Sequence, residues 1–145
     1  MSQIQSWLDQ HLAATTYDFL GVATNIAPAA APKVIRWQYV AGNQSSAYQG
    51  IRLQVGRGIA GMVWRTARYQ LDEDIFQDRE KLIEYPIARL ESLDAALGIP
   101  VIVAEEVVAI FLIGMRTSYH FTTAEIQQGL VWAKELSALW EAEHA

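Results

Sequence analysis

The sequence predicts an α+β domain: an antiparallel sheet with helices packed on its faces. Three observations predict it. Amphipathic helical segments stand at both ends of the chain. Alternating strand-like segments precede a glycine-rich loop that must open a helix. The two most apolar runs, 95–104 and 107–116, are adjacent and read as a central hairpin. The element order is helix, strands, helix, strands, helix, without internal repeat, linker or low-complexity segment. At 145 residues this is the size of one domain, expected to span 1–145.

Composition narrows the function. Hydrophobic residues make up 52% and charged residues 19%, enough to build a core and too apolar for disorder. The net charge of −5, with no basic cluster, argues against a nucleic-acid partner. There are no cysteines, which removes disulfides, thiolate metal sites and cysteine nucleophiles together. The three histidines, His11, His120 and His144, are far apart, so no metal site is expected. The first residues are amphipathic rather than a signal peptide, and the apolar run 99–115 is broken by Pro100 and by Glu105-Glu106. A soluble cytoplasmic protein, with no membrane partner, is the expectation.

In chain order, Ser2-Gln3-Ile4-Gln5 has the spacing of a capping box, with Gln5 reaching back. Ile4, Trp7, Leu8, His11 and Leu12 follow on one helical stripe; His11 there is a packed or interface histidine rather than a ligand. Residues 17–26 read as a strand with a bulge or close approach at Gly21. In 33–41 the alternation puts Ile35, Trp37 and Tyr39 on one face and Val34, Arg36, Gln38 and Val40 on the other. Residues 45–50 form a turn or short helix, and Ile51, Leu53 and Val55 a short strand.

The glycine loop Gly56-Arg57-Gly58-Ile59-Ala60-Gly61 comes next. Its three glycines permit a left-handed or crowded backbone, and a helix over 59–68 follows, with Ile59, Met62, Val63 and Thr66 inward. The first N–H groups of that helix converge on one spot of partial positive charge, a ready anion site. The loop also matches G-x-G-x-x-G. A short helix and an acidic loop follow, however, not the parallel βαβ unit and distant acidic residue of a dinucleotide site. In 70–79, Ile75 and Phe76 read as an apolar anchor, and Glu73, Asp74 and Asp78 as a solvated acidic loop. Pro86 fits the first position of a second helix, where Ile87 and Ala88 again present free N–H groups. The hairpin between the apolar runs should turn at Glu105-Glu106. Thr122-Thr123-Ala124-Glu125 is a capping box that starts the closing helix. Its inner stripe is Ile126, Leu130, Ala133, Ser137 and Trp140, extended by Leu136, with Trp132 and Leu139 at its edge.

Four segments together resemble a known family. Ile35-Arg36-Trp37-Gln38-Tyr39-Val40, the glycine loop, Gly98-Ile99-Pro100-Val101 and Phe121-Thr122-Thr123-Ala124-Glu125 look like a GAF domain over essentially the whole chain. The resemblance implies a GAF-like central antiparallel sheet with the N- and C-terminal helices packed on one face and a ligand pocket on the other. It also implies terminal helices that often mediate homodimer formation. More narrowly, 36–43, Tyr85-Pro86-Ile87 and Trp132 are similar to the stand-alone nitrate-receptor GAF proteins. By that resemblance the ligand is nitrate, no cofactor or metal is used, and the contacts are Trp37, Ile59, Ala60, Ile87 and Trp132. The protein would be non-enzymatic. It would modulate an oxygen-responsive sensor histidine kinase and its response regulator, a two-component system controlling nitrate respiration.

The chemistry is compatible with this. Nitrate is planar, singly charged and weakly hydrated, so backbone N–H groups and an indole suffice to hold it. A doubly charged anion would need a paired cation. Arg36 points away from Trp37, and Arg57 is a rim charge. Two other readings stay open: a GAF interaction module without a ligand, whose tryptophans build an interface, and a GAF pocket for another small molecule.

Overall fold

The computed structural model describes residues 2–145. The elements are α1 (Gln3–Ala13), β1 (Phe19–Asn25), β2 (Ile35–Ala41), α2 (Gly58–Thr66), β3 (Gln70–Asp72), α3 (Arg79–Glu84), α4 (Pro86–Glu91), β4 (Ala95–Val103), β5 (Glu106–Met115) and α5 (Thr123–His144). Short 3₁₀ turns occupy Ala47–Gly50 and Ile75–Gln77. The strands form one antiparallel sheet in the order β2-β1-β5-β4-β3.

Alternation along the central strands divides the core into two layers. Phe19, Ala23, Ala96, Ile110 and Leu112 face a layer closed by α2 and α4, with Ile59, Ala60, Val63, Ile87 and Ala88. Leu20, Val22, Leu97, Ile99, Phe111 and Ile113 face the opposite layer, closed by α1 and α5. The expected antiparallel sheet with the terminal helices on one face is therefore present, and α2 and α4 cover the face on which a ligand pocket is expected. No helix among the described residues is long and apolar enough to cross a membrane.

The terminal helices are held by their caps and by each other. Ser2 Oγ accepts from the Ile4 N–H at 3.1 Å, but the reciprocal half of the expected box does not form. Gln5 instead donates to Asp9 and to the Val40 carbonyl. Glu143 of α5 adds a cap of its own, accepting from Ser2 Oγ and the Gln3 N–H. At α5 the full capping box forms between Thr122 and Glu125. The stripe of α5 is rotated from the expected one: Gly129, Ala133 and Leu136 are its buried residues. A Cβ at Gly129 would lie 2.6 Å from Ile99 Cδ1, so glycine lets α5 settle onto β4.

Strand β2 departs from simple alternation. Ala23 pairs with Trp37 but Val22 pairs with Tyr39, so Gln38 is an extra, bulged residue. Ile35 and Trp37 face the α2–α4 layer, whereas Tyr39 is turned to the terminal-helix layer and Val40 takes its place. A bulge shifts the register by one, which exchanges the two faces beyond it. The expected 51–55 strand reduces to one bridge, Leu53 to Ile35. The β4–β5 turn is Ala104-Glu105, one residue earlier than expected. Both have positive φ, 52° and 67°, the geometry of a two-residue hairpin turn achieved without Asn-Gly. In α2, Trp64 is buried and Thr66 exposed, the reverse of the expected inner face at that turn. Of the expected anchor pair, Ile75 is buried and Phe76 is exposed.

Candidate functional site: two helix starts and an unpaired indole

The site is built on the glycine loop. Gly58 has φ +67° and begins α2 behind Arg57, whose side chain caps nothing. A Cβ at Gly61 would lie 2.4 Å from the Gln54 carbonyl oxygen, so the loop can fold onto the helix only over a glycine. The Gly61 N–H donates to the Arg57 carbonyl, the first backbone bond of the helix. The N–H groups of Ile59 and Ala60 precede it and have no intrahelical acceptor. Both residues are essentially inaccessible to solvent, so water from outside does not satisfy them.

The second helix start lies beside the first. A Cβ at Gly58 would be 3.7 Å from the Glu84 carbonyl, which places the opening turn of α2 at the α3–α4 junction. Pro86 stands at the first turn of α4, and Tyr85 offers no side-chain cap. The first α4 N–H with a backbone partner is Arg89, donating to Tyr85. Ile87 and Ala88 are buried in the same cluster as Ile59 and Ala60. Pro86 removes one orphan donor, and those of Ile87 and Ala88 remain.

Trp37 completes the arrangement from the sheet side. Its side chain is fully buried in that cluster, and its indole Nε1 donates to no group among the described residues. Leaving a buried donor unmade costs about 1–3 kcal/mol. Partner β1 residue Ala23 and the bulge at Gln38 fix which way the ring faces. Arg36 alternates to the opposite face, as expected from its neighbour. Arg57 is exposed in the loop, a rim position.

Trp132 is elsewhere. It packs on the other side of the sheet against Trp7, His11, Tyr17 and Phe111, with ring centroids 5.8 Å from Trp7 and 6.4 Å from Phe111. The structure brings four of the five residues implied by the resemblance together and places the fifth apart. Trp37, Ile59, Ala60 and Ile87 share one buried cluster, and Trp132 is separated from them by the sheet. The reason is the stripe of α5, whose buried residues Gly129, Ala133 and Leu136 pack on the terminal-helix layer.

Two polar networks hold α4 in place, and neither shows in local spacing. Asp72 of β3 pairs with Lys81 at 3.4 Å, accepts from Gln70, and accepts from the Tyr85 hydroxyl at 3.4 Å. Burial, reinforced by the Asp72 carboxylate, pushes the Tyr85 hydroxyl up to about 12. At the other end of α4, fully buried Glu91 accepts from Arg116 at 2.7 Å and from the Gln44 N–H at 2.8 Å. Arg116 in turn donates to the Gly42 carbonyl. The acidic loop is also structural rather than merely solvated. Asp78 caps α3, and Glu73 accepts from the Phe121 N–H. Among the described residues there is no cluster of three potential metal ligands.

What the arrangement can do follows from its donors. Four backbone N–H groups and one indole N–H belong to residues of one buried apolar cluster. Such a set favours a small, singly charged, planar acceptor over a strongly hydrated one.

No family model matches the chain, and no curated protein sequence does. Solved structures do match. A mutated NreA protein from Staphylococcus aureus, altered in its nitrate binding site, is 30% identical, with 83% of this chain and 90% of that chain covered and a TM-score of 0.76. A hypothetical protein from S. aureus is 31% identical over 81% of this chain and 95% of that one, TM-score 0.75. The GAF domain of a phosphoenolpyruvate-protein phosphotransferase from Coxiella burnetii is 21% identical over 97% of this chain and 81% of that one, TM-score 0.76. This last likeness is one of fold. The fold is also shared with a free methionine-R-sulfoxide reductase from Thermoplasma acidophilum at 15% identity, 94% of this chain, 88% of that one and TM-score 0.74. The identity and coverage shared with NreA, on a GAF fold, lead to one assignment: the chain belongs to the NreA-type family of GAF-domain proteins.

Proposed function

We propose that residues 1–145 act as a single GAF domain that binds nitrate and has no catalytic activity of its own. The observation that carries this is the fully buried, unpartnered Trp37 Nε1 in the same cluster as two uncapped helix starts. The ligand contacts are the Trp37 indole and the backbone N–H groups of Ile59, Ala60 and Ile87, with Ala88 beside them. Each hydrogen bond to the charged ligand is worth about 1.5–3 kcal/mol. Relatives of the same fold include sulfoxide reductases, but this chain has no cysteine to run thiol chemistry.

The output is a change in how the protein acts on a cytoplasmic, oxygen-responsive histidine kinase and its response regulator. The anion ties the first turns of α2 and α4 together and favours one arrangement of the surface. Helix α2 extends that arrangement away from the site, since its C-terminal cap, Ala67, lies on the protein surface.

Calorimetric titration of anion-free protein with sodium nitrate, against chloride and sulfate, tests the binding. One-to-one saturation by nitrate and none by sulfate is expected. Absence of heat and of thermal stabilisation at millimolar nitrate removes the sensor reading. Kinase autophosphorylation that is identical with apo and nitrate-loaded protein removes the regulatory half alone.

A further inference from the structure

A groove of about 960 Å³ runs between α5 and the edge of β4 and reaches Ala67 and Arg68 just past the end of α2. Its apolar lining includes Tyr69, Ile102 and Val131, three of the chain's most exposed large apolar side chains, at 46%, 43% and 52%. Its α5 wall extends from Gln127 to Ser137, about 15 Å at the helical rise. That is the length of three turns of a partner helix.

Its charge is the second observation. Two cations, Arg68 and Lys134, line it, and no carboxylate does. Neither cation forms a salt bridge among the described residues. In a chain of net charge −5 this is a local reversal. A second copy laid groove to groove would bring these cations together, which is unfavourable. The third observation concerns the sheet edge. Strand β3 pairs with β4 only from Ala96 to Gly98, so β4 from Ile99 onward has a free edge at the groove. Pro100 stands on that stretch and has no N–H to give an added strand. The groove thus favours side-chain packing over strand addition.

We infer that this groove is a docking site for a helix of a partner protein, about three turns long, with an apolar stripe flanked by carboxylates. The apolar stripe covers Val131, Ile102 and Tyr69, and the carboxylates meet Lys134 and Arg68. The inference does not rest on nitrate binding, since none of the proposed nitrate contacts lines the groove.

The test uses two fluorescein-labelled synthetic helical peptides with the same leucine stripe, flanked by glutamates in one and by lysines in the other. Anisotropy is measured with the full chain. The glutamate peptide should bind saturably, at least about tenfold tighter than the lysine peptide. The double variant Arg68→Glu/Lys134→Glu should invert that preference, and Val131→Asp should weaken both. All three positions are exposed, so unchanged melting curves verify folding of the variants. Equal binding of both peptides, no saturable binding up to millimolar peptide, or a preference untouched by the double reversal overturns the proposal. So does a wild-type homodimer in analytical ultracentrifugation that Val131→Asp dissociates, because a second copy then fills the groove.

Discussion

On the terminal-helix side of the sheet, the aromatic and histidine polar groups come in pairs. Trp7 Nε1 donates to Glu135 at 3.1 Å, His11 Nδ1 meets the Trp7 carbonyl at 2.8 Å, and the hydroxyls of Tyr17 and Tyr119 both donate to Glu125. On the α2–α4 side, Trp37 Nε1 and the first N–H groups of two helices are buried without protein partners. Both sides are apolar, and both contain tryptophan. The difference lies in the indoles and helix starts: Trp7 Nε1 is paired, whereas Trp37 Nε1 and the starts of α2 and α4 are not, and on the opposite face only the Arg36 Nε among the buried side-chain donors of the described residues lacks a partner. A buried unpaired donor is expensive, so the α2–α4 layer is where the proposed anion would relieve the larger cost.

The comparison breaks most severely at the α2 start. Ala60→Pro deletes a backbone donor at a helix position that needs no intrahelical bond. Nitrate affinity should fall by about tenfold to a hundredfold, the worth of one hydrogen bond to a charged group, with helical circular dichroism retained. Trp37→Phe keeps an aromatic filler and removes the indole donor. Calorimetry should show a weakening that approaches the same range and does not exceed it.

The terminal-helix layer predicts a different response, in stability rather than affinity. Burial pushes the Glu125 carboxyl up, but donation from the Tyr119 hydroxyl, the Thr122 N–H and the Tyr17 hydroxyl outweighs it and holds the group below its ordinary 4.5. A carboxyl lowered on folding contributes stability above 4.5 that is lost as pH falls through the lower folded value. Glu125→Gln should therefore cost about 1 kcal/mol at neutral pH through the damaged cap, and flatten the drop in melting temperature below pH 4.5. Nitrate affinity should be unchanged. Smaller still, Arg57→Ala at the exposed rim should weaken nitrate by about 1 kcal/mol or less. The smallest effect sharpens the comparison most: Trp132→Phe should leave nitrate affinity where it was.

Much of this was legible from the residues because local rules specify it. Pro86 at the first turn of α4, the Thr122–Glu125 box and the glycine path into α2 depend on neighbours a few positions away. The α4 donors and the α2 donors could therefore be named from sequence. What stayed hidden depends on long-range pairing. The Gln38 bulge that turns Tyr39 across the sheet is fixed by β1, not by β2 itself. The rotated stripe of α5 follows from Gly129 meeting Ile99 thirty positions earlier. Trp132 was implied as a ligand by resemblance alone, and only the packing of α5 shows which layer it occupies. The Asp72–Tyr85 and Glu91–Arg116 networks join residues 13 and 25 positions apart and leave no periodic trace.

The central claim is that nitrate is held by the donors of the α2–α4 layer and not by the aromatic cluster under the terminal helices. The most direct measurement is a ¹H–¹⁵N correlation spectrum of labelled protein titrated with sodium nitrate. It separates the indole N–H of each of the five tryptophans from the backbone amides. The account predicts saturable one-to-one shifts for the Trp37 indole and for the amides of Ile59, Ala60, Ile87 and Ala88, with the indoles of Trp7, Trp132 and Trp140 unmoved. A shift of the Trp132 indole with that of Trp37 unchanged, or no shift of any at saturating nitrate, would contradict it.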